Sequence, residues 1–373
     1  MATSCSLVCM KTIMHVVGAR PNFMKIAPII EGLNSRKSSR QILINTGQHY
    51  DESMAGSFFR DLDLPRPDRD LGVGSASHAV QTGRIMAAFE EACVEYRPDL
   101  VVVVGDVNST VAATLVAAKL VIPVAHVEAG LRSRDRTMPE EINRIVTDRL
   151  ADVLLTPSRD ADKNLTDEGI PRDRIHLVGN VMIDTVFKYL PLASLDRIQD
   201  RIAVQERDYA LVTLHRPSNV DDPKTLRQLL DVMNAIAVTM PVVFPVHPRT
   251  RARLANIEFR SNGRGVILTQ PLGYVDFLSL TSHARIVLTD SGGLQEEATA
   301  LGIPCLTLRE NTERPITVTD GTNRVVGTDP QRVLAAFGEC VEHPPPRKCP
   351  ELWDGRAAGR IIGVLEQFLR RST

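Results

Sequence analysis

Short, continuously apolar runs recur along this 373-residue chain, separated by longer stretches with helical spacing. That alternation constrains the fold more than any composition figure. In the first half the runs are Thr12–Val17, Gln41–Asn45, Leu100–Val104, Val121–His126, Val153–Thr156 and Ile175–Val178. Strands that are apolar throughout, rather than at every second position, are those covered by helices on both faces, and such strands run parallel. The pattern predicts a doubly wound α/β sheet. After Asn180 the rhythm breaks: Asp184–Asp208 has helical spacing and charge but no strand. A second series then follows at Ala210–Thr213, Pro241–Val246, Gly265–Leu268, Arg285–Thr289, Pro304–Leu308 and Val325–Val326.

The expected architecture is therefore α/β, with two Rossmann-like doubly wound domains whose strand ends face a shared cleft. Residues 12–184 form the first domain, 185–208 a linker and 209–354 the second, while 1–11 read as a flexible extension. Residues 355–373 read as a C-terminal helix free to pack back, for instance on the N-terminal domain. The length suits two hydrophobic cores better than one.

Lys and Arg number 44 against 45 Asp and Glu, and no segment concentrates one sign. This balance speaks against broad nucleic-acid or membrane-surface binding, so an anionic ligand needs a local pocket. Six cysteines are scattered without a CxxC pair, which indicates neither a zinc site nor a disulfide framework and points to a reducing compartment, the cytoplasm. No apolar run approaches the roughly 20 residues that span a bilayer, and Met1–Lys11 lacks the features of a targeting signal.

Polar residues gather after the strands. The first run leads into Gly18-Ala19-Arg20-Pro21, with Lys25 in the helix that follows. Two cations near a helix N-terminus suit a diphosphate, although the segment is neither GxGxxG nor a Walker loop, and ordinary solvated charges are an equal alternative. Asp106 and Glu128 follow two neighbouring buried strands, the position where open sheets carry function. The plain alternatives are an N-cap for Asp106 and an ion pair with Arg132 for Glu128. Pro139-Glu140-Glu141 reads as a helix start. Glu140 would add a third carboxylate to the cleft, where crowding favours proton transfer near neutral pH.

In the second half, His215-Arg216 leaves a strand end and can serve phosphate oxygens or protonate a leaving group; His247 has similar surroundings. Asp290-Ser291-Gly292-Gly293 opens a helix that reaches Glu297 one turn on. Exposed backbone N–H groups there can cradle phosphate, and Glu297 can accept two ribose hydroxyls. Arg309 and Arg314 follow the next strand, and Phe277 serves either as a platform for a base or as core.

In this order, Gly18–Pro21 with Lys25, Gly47-Gln48-His49, Gly105-Asp106, His126–Arg132, Pro139–Glu141 with Asn143-Arg144, His215-Arg216, Asp290–Glu297 and Thr312–Pro315 resemble the non-hydrolysing UDP-N-acetylglucosamine 2-epimerase family. The resemblance covers nearly the whole chain. It implies a glycosyltransferase-B-like fold, a homodimer and interconversion of UDP-GlcNAc and UDP-ManNAc with no bound cofactor and no metal. The implied chemistry is loss of the C2 proton with anti elimination of UDP, followed by re-addition to an enzyme-bound 2-acetamidoglucal.

The resemblance assigns Asp106, Glu128, Glu140 and His215 to catalysis, with Asp106 and Glu128 as the favoured acid/base pair. Arg20, Lys25, Arg132, Arg216, Ser291, Gly292, Gly293 and Arg314 would bind the diphosphate and sugar, Glu297 the ribose and Phe277 the uracil. Three segments depart from the family's common forms: Ser218-Asn219, Leu272 and the residues around His49-Tyr50-Asp51, the last bearing on activation by a second substrate molecule. The motif forms also resemble relatives acting on UDP-2,3-diacetamido-glucuronic acid, whose extra carboxylate would want a cation such as Arg314 or one of Arg132, Arg134 and Arg136. A UDP-sugar glycosyltransferase, which needs an acceptor groove and tolerates losing the second and third carboxylates, is the alternative from another class; a non-catalytic nucleotide-sugar sensor is the last, and retention of all three carboxylates speaks against it.

Overall fold

Two sheets, all of whose pairings are parallel, organise the chain. The computed structural model describes residues 10–48, 66–198, 200–254, 257, 259 and 265–371, with the side chain of Arg20 outside that set. In the first sheet the strands β1 (Thr12–Val17), β2 (Arg40–Asn45), β3 (Arg69–Asp70), β4 (Leu100–Val104), β5 (Val124–Val127), β6 (Val153–Thr156) and β7 (Ile175–Leu177) lie in the order 3-2-1-4-5-6-7. The second comprises β8 (Ala210–Thr213), β9 (Val242–Pro245), β10 (Val266–Thr269), β11 (Ile286–Thr289), β12 (Cys305–Thr307) and β13 (Asn323–Val325), ordered 10-9-8-11-12-13. In each the chain starts mid-sheet, winds one way, then crosses back, which creates one switch point: β1/β4 in the first, β8/β11 in the second. These are the two doubly wound domains expected.

Both faces of each sheet are covered, which is why the strands read as unbroken apolar runs. Along β8, Ala210 and Val212 join one buried cluster while Leu211 joins another; along β11, Ile286 and Leu288 go one way and Val287 the other. All five residues of β4 are buried.

The chain divides into a unit up to Thr185 that includes the stretch from Arg356 onward, and a unit of Val186–Gly355. The C-terminal helix Ala357–Arg371 belongs to the first unit. Asp184 accepts the backbone N–H groups of Ala357 (3.0 Å) and Ala358 (2.7 Å), and Glu366 accepts from Arg36 (3.0 Å) and Ser38 (2.8 Å). Residues 185–208 do not behave as a bare linker: Ile198, Ile202 and Val204 are buried in the same cluster as Leu211 of the second unit.

Two local readings shift. The run at Val121 does not begin a strand. Helix α3 (Asn108–Lys119) follows α1 (Arg20–Arg36) and α2 (His78–Tyr96), and the Ile122 and Val121 N–H groups bond back to Ala117 (2.9 Å) and Ala118 (3.2 Å). Val121 at φ 58° therefore closes the helix end where glycine is usual, and the strand starts at Val124. Strand β3 is two charged residues long and carries no apolar signal. Among the described residues no helix is long and apolar enough to cross a membrane.

Candidate functional site

The polar residues of each unit collect at its switch point. In the first unit the turn after β1 is tied to the end of β4 by Asn22: its Oδ1 accepts the N–H groups of Gly18 (3.2 Å) and Ala19 (3.0 Å), and its Nδ2 donates to the Val104 carbonyl (2.9 Å). One turn further along α1, the buried Lys25 ion-pairs with Glu128 at the end of β5. Glu128 has φ 74°, a left-handed conformation that a side chain with a Cβ adopts only under constraint. Its N–H bonds the Leu155 carbonyl (3.0 Å), as does that of Ala129 (3.1 Å), which holds the turn.

Asp106, beyond β4, ion-pairs with Arg144 of helix α4 (Pro139–Leu150), and the Asn143 amide donates to its carbonyl (2.9 Å). Arg144, at 2% exposure one of the largest fully buried side chains, also bonds Glu141 through Nε (3.1 Å) and Nη2 (2.7 Å). Burial works to raise Glu141, but N–H groups of Ser133 and Arg134 and the Arg144 guanidinium outweigh it and hold the carboxyl below its ordinary range. Glu140 lies half-buried in the same first turn. The helix start at Pro139 is as the sequence reads. Asp106 and Glu128 each meet a cation, neither of them in the helix-capping or Arg132-paired arrangement that was the plain alternative.

Arg132 occupies a different place from the one anticipated. Its guanidinium, 1% exposed, is spent on the Leu131 carbonyl, Asp148 and Glu168 at 2.7–2.8 Å, so it braces the unit rather than facing a ligand. Gln48 accepts from the N–H (3.0 Å) and hydroxyl (2.7 Å) of Ser109; His49, Tyr50 and Asp51 lie outside the described residues.

In the second unit Asp290, wholly buried after β11, is the hub of the switch point. It accepts the N–H of Arg216 (2.9 Å), that of His215 (3.0 Å), the Asn219 amide (3.2 Å) and His215 Nδ1 (3.0 Å). Burial tends to raise its carboxyl, yet the His215 ring and the backbone donors prevail and keep it below the usual value. An ionised carboxylate only accepts, so the His215 Nδ1 carries the hydrogen and Nε2 is presented outward from a 38% exposed side chain. The His247 ring sits 5.7 Å from that of His215, so the structure brings both histidines together.

Ser291 is the N-cap of helix α11 (Gly292–Leu301; helices α5 to α10 start at Arg159, Val181, Pro217, Pro223, Pro248 and Tyr274). A Cβ on Gly292 would lie 2.6 Å from Arg314 Nη1 and 2.8 Å from Glu313 Oε1, so a side chain there would have to displace the ends of that pair from the helix start. Arg314 pairs with Glu296 (2.9 Å) and Glu313 (2.7 Å), while Arg309 (2.8 Å) and Arg216 (3.4 Å) also reach Glu313. Burial would lift Glu313, but the three guanidinium groups bring it down to about 2. Three guanidinium groups thus gather beside a helix N-terminus, an arrangement that suits an anion. Glu297 is buried one turn inside the helix. Phe277, of α10 (Tyr274–His283), packs with Leu272 on a hydrophobic cluster while staying partly exposed.

Asn22, Arg144, Glu141, Asp290, Asn219 and Glu296 had no role assigned to them from sequence. Glu141, Arg144, Asp290 and Glu296 lie within the motif segments without a role of their own; Asn22 directly follows the Gly18–Pro21 turn, and Asn219 signals only a departure from the family's common form. Among the described residues no group of three or more His, Cys, Asp or Glu is disposed to hold a metal ion.

A family model described as UDP-N-acetylglucosamine 2-epimerase matches residues 31–366. A UDP-N-acetylglucosamine 2-epimerase of Methanocaldococcus jannaschii is 40% identical over 94% of this chain and 97% of its own. A UDP-2,3-diacetamido-2,3-dideoxy-D-glucuronate 2-epimerase of Pseudomonas aeruginosa is 40% identical over 84% and 88%. The crystal structure of the Methanocaldococcus jannaschii enzyme in complex with UDP-GlcNAc and UDP superposes with a TM-score of 0.87 at 38% identity, covering 95% of this chain and 99% of that one. The chain belongs to the UDP-N-acetylglucosamine 2-epimerase family and is thereby an isomerase.

Proposed function

We propose that the protein interconverts UDP-GlcNAc and UDP-ManNAc at C2. The observation that carries this reading is the placement of Asp106 and Glu128 at the ends of adjacent strands, each held by a cation, beside the β1/β4 switch point. A carboxylate takes the C2 proton as the C1–O bond to UDP breaks, the C–H electron pair forms the C1=C2 bond of 2-acetamidoglucal, and the pair from C1–O leaves with the diphosphate. UDP oxygen then re-adds to C1 while the C1=C2 electron pair takes a proton on the opposite face of C2 from the second carboxyl, which is protonated at that stage and is left as a carboxylate. Lys25 and Arg20 offset charge on the leaving diphosphate, with His215 and Arg216 available to its oxygens. Ser291, Gly292, Gly293 and Arg314 cradle the phosphates, Glu297 takes the ribose hydroxyls and Phe277 the uracil. Glu140 supports the pair, and the working form is a homodimer.

The 40% identical UDP-diacetamido-glucuronate epimerase favours that sugar as the second reading. Its carboxylate needs a partner, and Arg132 is committed to Asp148 and Glu168, which weighs toward UDP-GlcNAc. The test is proton NMR of the enzyme with UDP-GlcNAc in D₂O. Appearance of UDP-ManNAc with deuterium at C2 supports the reading; substrate that stays unchanged and fully protonated, while the diacetamido-glucuronate analogue turns over, replaces it with the second. In the same assay D106N and E128Q abolish turnover and leave UDP binding nearly intact; an equal loss of binding makes those residues structural.

A further inference from the structure

We infer that His126 and Asp148 are positioning residues that lock the Asp106 and Glu128 turns to one another, an inference that rests on the catalytic roles proposed above for those two carboxylates. His126 lies on β5 with its ring wholly buried. One ring nitrogen, Nε2, donates to the Gly105 carbonyl across the strand pair (2.9 Å); the other, Nδ1, is 2.6 Å from Asp148 Oδ1. The second oxygen of Asp148 accepts the Gly130 N–H (3.1 Å) and Arg132 Nη1 (2.7 Å), and Arg132 is in turn fastened to Glu168. One buried carboxylate thus grips the turn that follows Glu128 directly, and through the imidazole it grips the peptide that precedes Asp106.

Gly105 is the element this network holds. Its N–H bonds the Val127 carbonyl (3.1 Å), its φ is 68°, and a Cβ placed on it would fall 3.3 Å from Asn22 Nδ2, 3.4 Å from Glu128 Oε2 and 3.8 Å from Lys25 Nζ. The backbone between Val104 and Asp106 therefore packs directly on the Lys25–Glu128 pair. A rotation of the Gly105 peptide would move Asp106 and unseat Glu128 together, and the imidazole bond to the Gly105 carbonyl opposes that rotation. Groups facing the ring are Asp148, the carbonyl of Gly105 and, through Asp148, Arg132; none of them approaches solvent.

Two substitutions separate positioning from bulk stability. H126N keeps a polar group near Nδ1 and loses the reach to Gly105; H126Q places its amide near Nε2 and keeps the donor to that carbonyl. The expected result is a kcat lower by on the order of 100-fold in H126N, as misplacement of about 1 Å brings. KM and UDP affinity stay within about twofold of the parent, and H126Q recovers most of the rate. Equal rates in H126N and the parent, or losses in both variants that follow their folded fraction, overturn the inference. If H126N does not reach the native state, the parent protein decides. With ¹⁵N-labelled histidine and ¹³C-carbonyl glycine, a through-hydrogen-bond coupling joins a His126 ring nitrogen to a glycine carbonyl, and its absence overturns the inference. Failure of the catalytic assignment itself is seen separately, as turnover surviving in D106N and E128Q.

Discussion

Replacing Asp290 with asparagine tests the hub of the second unit. The amide oxygen can take the place of Oδ2 and keep the bonds from the His215 and Arg216 N–H groups and the Asn219 amide. Each then falls from a charged to a neutral acceptor, a difference of about 1 kcal/mol per bond, or about 3 kcal/mol for the three. For a unit of this size that corresponds to a midpoint lowered by about 6–12 °C. Trp353, the single tryptophan of the chain, is buried within this unit, so its fluorescence follows the transition in urea or on heating. The pH dependence has a definite sign. Because the folded Asp290 is held below its ordinary value, the unfolded chain takes up that proton first as pH falls. The stabilisation is complete above about pH 5 and is lost as pH drops through the folded value, so the gap between parent and D290N closes below about pH 4. The amide NH₂, now opposite His215 Nδ1, donates where the carboxylate accepted, so the ring shifts its hydrogen to Nε2 and turnover falls by at least about tenfold. A gap under about 1 kcal/mol at pH 7 with an unchanged rate would refute the reasoning.

Three further substitutions probe other links. V121G relieves a β-branched residue at φ 58° on a fully solvated helix end and should stabilise the first unit by about 1 kcal/mol after the entropy of the unfolded glycine is deducted, read by far-UV dichroism in urea; no gain would mean the turn carries no strain. G292A drives a methyl group into Arg314 and should raise the Kd for UDP about tenfold by calorimetry, the worth of one charge-assisted bond; unchanged affinity removes Arg314 from the phosphate cradle. R144K leaves one ammonium where a guanidinium serves both Asp106 and Glu141, and should cost about 3 kcal/mol in the same denaturation assay; a loss under about 1 kcal/mol would show the two carboxylates to be satisfied otherwise.

The sheets were legible because two-sided burial writes itself as unbroken apolar runs, and polar residues could be seen to gather after those runs, while the strand order that makes two of those ends switch points was not legible. Less legible was anything decided by a neighbour distant in sequence. Val121-Ile122 looks like strand because it is apolar and β-branched, yet two hydrogen bonds to Ala117 and Ala118 commit it to a helix end. Arg132 follows Glu128 by four residues and invites pairing with it, but Lys25, 103 positions away, takes Glu128, and Arg132 turns to Asp148 and Glu168. Residues 185–208 carry charge enough to read as a linker, while the spacing of Ile198, Ile202 and Val204 places them in the core of the second unit. In each case the local pattern was ambiguous and a tertiary partner chose between its readings.

The same strand order serves two electrostatic tasks. At the first switch point Asp106, with a 30% exposed side chain, and Glu128 meet cations delivered by α4 and α1, so in the proposed reaction a carboxylate that takes up a proton leaves a neighbouring cation to meet the departing anion. At the second the cations are the fixed feature: the buried Glu296 and Glu313 orient Arg314, and Glu313 also meets Arg309 and Arg216. An arginine cannot give up its proton, and a glutamate held at about 2 does not take one up near neutrality, so the charges of Glu313 and its three arginines stay constant near neutral pH. The reaction proposed above, which breaks and remakes the same C–O bond, calls for that constancy in its phosphate cradle, because UDP has to be retained in the interval when nothing covalent holds it.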